Sequence, residues 1–116
     1  MGTIMYGVDL SKKITPIMAR DAIIECFTQA HKEIVDTMDE FAEWESEEER
    51  QKFKEMEVEY IVKKAFDDVN ANFENPTKDD LIKSTNELAR YASNFRKPDI
   101  VNKHYGEIKL ILDKCE

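Results

Sequence analysis

Glycine and proline are scarce, with three of each in 116 residues. An all-β sandwich or barrel reverses direction every few residues and draws heavily on both, so that class is excluded. Cysteine is limited to Cys26 and Cys115. Two thiols fit a reducing cytoplasm better than the disulfide framework of a small secreted domain. Long apolar runs are missing too: none approaches the roughly 20 residues that a membrane-spanning helix requires. The N-terminus has no basic region followed by an apolar stretch, so no signal peptide is expected. Basic charge is the remaining deficit, with 17 Lys and Arg against 25 Asp and Glu, a formal net charge of −8. Such a chain is repelled by nucleic acid and by anionic membrane surfaces, so neither is expected as a partner. A basic protein surface or a cation is.

The usual motifs of catalysis are also missing. There is no Gly-rich phosphate loop, no Cys-x-x-Cys, no His-Glu-x-x-His and no nucleophile elbow. No cofactor is implied. Di-iron bundles need Glu-x-x-His on two helices; here the residue three before His31 is Thr28 and three before His104 is Val101.

What is present is helical patterning. Thr15-Pro16 pairs a hydroxyl N-cap with proline at the first helical position, where its missing N–H is not needed. Ile17, Ile24, Phe27, His31, Ile34, Met38 and Phe41 then recur at spacings of seven, three and four, which predicts one helix from Pro16 to about Trp44. Ser46 followed by Glu49 forms a capping box. Phe53, Met56, Tyr60, Ile61, Ala65, Val69 and Phe73 supply a buried face for a second helix ended by Asn75-Pro76. Thr77 caps a third, with Leu81, Thr85, Leu88 and Phe95 on its stripe. Lys97-Pro98 breaks the chain, and Val101, His104, Ile108, Ile111 and Cys115 mark a fourth. The expected fold is all-α: an antiparallel four-helix bundle of two long and two short helices over residues 15–116, one domain. Residues 1–14 carry no helical stripe and form an N-terminal arm, extended or disordered.

The lengths locate a surface. At 1.5 Å per residue the first two helices are each about 42 Å long and the last two about 26–29 Å, leaving roughly 14 Å of the long hairpin uncovered. That tip carries Met38, Phe41, Trp44, Phe53 and Met56, an apolar cluster that a monomer does not expose without reason. Beside it, residues 36–49 hold Asp36, Asp39, Glu40, Glu43, Glu45, Glu47, Glu48 and Glu49 and no Lys or Arg. Glu40 and Glu43 sit near the end of a helix whose dipole disfavours negative charge. Rule-breaking of this kind often accompanies function. The expected partner-binding set is therefore Phe41, Trp44, Phe53, Asp36, Glu40 and Glu43. The expected function is a small acidic interaction or regulatory module, forming a homo-oligomer or docking a protein with a basic surface.

A second expectation is a divalent-metal-dependent nucleotide or RNA hydrolase. Clustered carboxylates suit Mg²⁺ or Mn²⁺, and the clustering resembles, in composition alone, that of helical nucleotide pyrophosphatases; no residue is carried over. The two histidines, His31 and His104, fall about 22 Å and 19 Å from the base of the bundle. They could share a hydrogen-bonded layer or, with Glu57, a metal site.

Overall fold

The computed structural model describes residues 4–92 and 97–116. Five helices follow a short β-hairpin: β1 (Ile4–Met5), β2 (Val8–Asp9), α1 (Pro16–Glu40), α2 (Glu47–Lys54), α3 (Val58–Asp68), α4 (Lys78–Ala92) and α5 (Pro98–Lys114). The protein is mostly helical, as the patterning implies. Phe95, expected at the end of the α4 stripe, lies outside the described residues.

The hairpin pairs Ile4 with Asp9 and Met5 with Val8. Tyr6 and Gly7 form its loop, both at positive φ (50° and 81°), the geometry of the tight turn whose twist matches a two-stranded ribbon. Glycine adopts this conformation freely; tyrosine does so at a cost of about 1–2 kcal/mol. Val8, Leu10 and Ile14 are buried in the main core. Ile14 is also tied to the other end of the chain: its N–H donates to the Lys114 carbonyl (2.9 Å), and Glu116 N–H donates to Ile14 (3.1 Å).

α1 is the central element. Its Thr15 hydroxyl accepts from Met18 N–H, with Pro16 at the first position. Ala19, Ala22, Ile23, Cys26, Phe27, Ala30, Ile34 and Met38 are buried. α5 packs along it in the opposite direction: Cys26 Sγ lies on the His104 carbonyl, and Lys103 reaches Glu33. At the far end Lys97 reaches Glu43. α3 and α4 pack on each other and on α1. Arg20 clamps the α3–α4 connection by donating to the Phe73 carbonyl at 2.7 Å while lying over the Phe73 ring.

Two expected boundaries differ. α1 stops at Glu40, short of Trp44, because Ala42 takes the left-handed conformation (φ 50°). Glu43 N–H then bonds to the Met38 carbonyl (2.9 Å) and Ala42 N–H to Asp39 (3.3 Å). This two-bond closure normally uses glycine. The long second helix is instead α2 and α3, parted at Glu55–Glu57 with neither glycine nor proline between them. Bent, it lays Phe53 against Ile34, Met38 and Val101, together with Trp44. Removing an aromatic ring from water contributes about 1.5–3 kcal/mol. The frayed turn keeps its hydrogen bonds through Glu55 N–H to Gln51, Met56 N–H to Phe53 and Ile61 N–H to Glu57. α3 ends at Asp68, not at Asn75, by the same closure as α1: Asn70 is left-handed (φ 56°), and Ala71 N–H bonds to Phe66 (2.8 Å).

Candidate functional site

The bend in the second helix rearranges the expected tip. Met38 is 1% exposed, and Trp44 and Phe53 are partly buried beside it. The Phe53 ring stacks on His31 (centroids 4.9 Å, 13° between planes) and lies 5.7 Å from Trp44. The uncovered apolar cluster is therefore not present: most of it folds onto α1. Phe41 alone among these aromatics remains outside, 64% exposed at the C-cap of α1.

The acidic run divides as well. Asp39 accepts from Trp44 Nε1 (2.7 Å) and from Arg50 Nε (2.8 Å). These bonds, Arg50 first and Trp44 second, hold its carboxyl below the usual carboxylate range. Glu47 also meets Arg50, and Glu48 meets Lys52. Glu43 takes Lys97 Nζ at 2.6 Å. Glu49 N–H donates to Ser46 Oγ, so Ser46 caps α2, while the Glu49 carboxylate reaches back to Glu45 N–H, one residue before the cap, rather than to Ser46 N–H. Much of the run thus stitches the α1–α2 turn to itself and to α5. Asp36 and Glu40 stay exposed and, among the described residues, make no ion pair. At the tip these two carboxylates stand with Phe41.

The histidines do not form a shared layer. His31 Nε2 donates to the Phe53 carbonyl (2.7 Å), and His104 Nδ1 donates to the Ile100 carbonyl (2.8 Å). Each ring holds a backbone carbonyl and neither holds the other. Glu57 is exposed at the N-terminus of α3. Among the described residues no three His, Cys, Asp or Glu side chains gather as a metal site. The hydrolase expectation needs such convergence. Beside His31, an apolar gap of about 20 Å³ lies among Phe27, Ile34, Phe53, Met56 and Val101. It has room for about one water molecule and almost no polar partner for it, so it is a packing gap.

A polar cleft that was not anticipated lies between the hairpin loop and the α1–α5 seam. It is lined by Tyr6, Gln29, Glu33, Lys103, His104 and Glu107 and measures about 420 Å³. Tyr6 OH donates to Glu107 Oε1 (2.8 Å). Burial, then this bond, pushes the phenol well above its usual range. Lys103 Nζ meets Glu33 Oε1 at 2.9 Å. His104 Nε2 lies 3.4 Å from Glu33 Oε2 and 3.8 Å from Glu107 Oε1. Just beneath, burial pushes the Cys26 thiol up to about 12, so it is an S–H donor to the His104 carbonyl rather than a nucleophile. The signal that could have found this cleft was the i, i+3 pair His104 and Glu107. Its remaining members come from Tyr6 and α1, distant in sequence.

Comparison with protein-family models, with curated proteins and with solved structures finds no match for this chain.

Proposed function

We propose that this protein is a small interaction or regulatory module that docks a partner with a basic surface at the α1–α2 turn. The observation that carries the reading is Phe41, an aromatic side chain left 64% exposed beside the carboxylates of Asp36 and Glu40, which make no ion pair among the described residues, while its aromatic neighbours are packed inward. Large aromatics carry much of the contact energy where they occur in interfaces, and exposed carboxylates steer a basic surface toward them. Docking a basic partner is favoured over self-association, because two copies meeting tip to tip would juxtapose like charges around a small apolar contact.

The architecture behind this reading is an antiparallel core of four helices, α1, α3, α4 and α5, with α2 folded over one end. It is supported by the packing of α1 on α3, α4 and α5 and by the contacts between α3 and α4 and between α4 and α5. A cytoplasmic setting is supported by two free, buried cysteines. Among the described residues no helix is long and apolar enough to cross a membrane.

The test is the paired substitution Glu40→Gln with Phe41→Ala, probed by anisotropy with a fluorescein-labelled, lysine-rich peptide and by light scattering. Binding is expected to weaken about tenfold, the scale of one aromatic anchor and one charge, with unchanged far-UV circular dichroism and a concentration-independent monomer mass. Peptide affinity unaffected by the pair would overturn the reading.

A further inference from the structure

α2 is unlike the other helices. Its sequence, Glu-Glu-Glu-Arg-Gln-Lys-Phe-Lys, has one apolar residue, Phe53, and none of its residues is buried. α1, α3, α4 and α5 each bury several, among them Ile34, Val62, Leu88 and Val101. An eight-residue helix is not stable on its own in water, and one with so little burial belongs to the part of a molecule that opens most readily. α2 is seated by one face. Arg50 and Phe53 are three residues apart, side by side on a helix. Arg50 meets Asp39 through Nε (2.8 Å) and Nη2 (3.3 Å). The Phe53 ring stacks on His31, and the Phe53 carbonyl accepts from His31 Nε2.

What α2 covers is a pocket built by the four other helices. Ile34 of α1, Ile61 and Val62 of α3, Leu88 of α4 and Val101 of α5 form its walls, with His31 at one side, and Phe53 and Met56 close it. With Phe53 seated, about 20 Å³ is left free. With the ring withdrawn, the space grows by the size of a ring and stays apolar. Apolar cavities of about 150 Å³ remain dry and take benzene. Phe53 is therefore seated as a ligand would be. Its ring lies against apolar walls and an imidazole face, its carbonyl lies on an N–H donor, and a cation three residues before it lies on Asp39. An aromatic residue of a peptide offers the ring and the carbonyl together; an aromatic hydrocarbon offers only the ring.

We infer that α2 is an internal stand-in for the partner: a detachable lid whose Phe53 holds the pocket until a basic helical segment of the partner, with an aromatic residue three positions after an arginine or lysine, takes its place. This rests on reading the protein as a docking module for a basic partner; it names the residue pattern such a partner presents and adds a pocket to the surface at the tip. The incoming cation takes over Asp39. The incoming ring meets Ile34 and Val101, and the carbonyl beside it accepts from His31 Nε2. Because partner and lid compete for one seat, the apparent affinity is reduced by the fraction of molecules in which the pocket is open.

The probe is a fluorescein-labelled, alanine-based helical peptide with lysines and one arginine three residues before a phenylalanine. Its control has alanine in place of the phenylalanine. Both are read by anisotropy at physiological salt. A lid open in about a tenth of molecules or fewer predicts that Phe53→Ala, which vacates the pocket, tightens the phenylalanine peptide about tenfold or more and the control less than about twofold. In the parent protein, unlabelled phenylalanine peptide is expected to lift α2: the amides of Glu49–Lys54 exchange faster, Trp44 emission moves to longer wavelength, and the Ile34 and Val101 methyl resonances shift. The control peptide is expected to do none of this. Equal gains for the two peptides in Phe53→Ala, or α2 exchange and Trp44 emission unmoved in the parent with peptide bound, would overturn the inference. Binding of both peptides that is weakened by Glu40→Gln with Phe41→Ala and indifferent to Phe53→Ala would remove the lid and leave the tip. A gain in Phe53→Ala confined to the phenylalanine peptide, with Glu40→Gln and Phe41→Ala without effect, would support the pocket and remove the tip. No binding of either peptide to the parent or to Phe53→Ala would remove both.

Discussion

Replacing Phe53 with alanine tests why the second helix is bent. α2 has no fully buried residue, and Phe53 is its chief apolar attachment, through His31, Trp44 and the Ile34–Met38–Val101 cluster. A fully buried Phe→Ala change costs about 3–5 kcal/mol. Phe53 is half-buried, which reduces the loss to about 2 kcal/mol, including the stacking contribution. For a chain of this size the unfolding entropy is about 0.24 kcal/mol/K, so Tm is expected to fall by about 8 °C. Trp44, the single tryptophan, lies beside the deleted ring and reports the same event. Its emission is expected to move to longer wavelength as the loop loosens. Thermal unfolding followed by circular dichroism, together with Trp44 fluorescence at low temperature, measures both. A Tm within about 2 °C of the parent with unchanged emission would show that packing of Phe53 does not hold α2 down, and the explanation of the bend would fall with it.

Two further outcomes follow from the α1–α2 turn. The Asp39 carboxyl has its pKa lowered by Arg50 and Trp44 from the usual 3.8. Its contribution to stability is therefore full above that value and lost as pH falls through the lowered folded value. An acid titration of Trp44 emission should show its step below pH 3.8, and Asp39→Asn should abolish that step; a step above the ordinary carboxylate value would contradict the pairing. Ala42→Gly should stabilise by about 0.5–1 kcal/mol in urea unfolding, because glycine removes the left-handed penalty at the end of α1, partly offset by the greater freedom of its unfolded chain. A loss of stability would show that the closure is not as described.

Helix starts were the most legible feature of the chain. Thr15-Pro16, Ser46 with Glu49, and Thr77 each lie where a side-chain oxygen accepts from an N–H three residues on. These are local signals, complete within four residues, so no knowledge of the rest of the chain is needed to read them. Helix ends were harder. Asn70 carries a readable signal, since asparagine tolerates the left-handed conformation. Ala42 carries none, because alanine is the residue that otherwise favours continuing a helix.

The candidate site divides along the same line. The acidic run, the exposed Phe41 and the i, i+3 pair His104 and Glu107 are written in the order of residues. What the carboxylates meet is not: Asp39 finds Arg50 because the turn folds back, and Glu43 finds Lys97 because α5 returns along α1. The sequence by itself determined that the chain is helical and acidic, where α1, α2, α4 and α5 begin, and most of the faces they bury, since each depends on spacing and on contacts within a few residues; Ile17 and Tyr60, placed on those stripes, are exposed. Only the tertiary structure decided that the second helix breaks at Glu55–Glu57, that Trp44 and Phe53 turn inward, and that Tyr6 closes over the seam of α1 and α5. Those outcomes depend on burial against residues tens of positions away, and burying an aromatic ring there outweighs a few local helical hydrogen bonds.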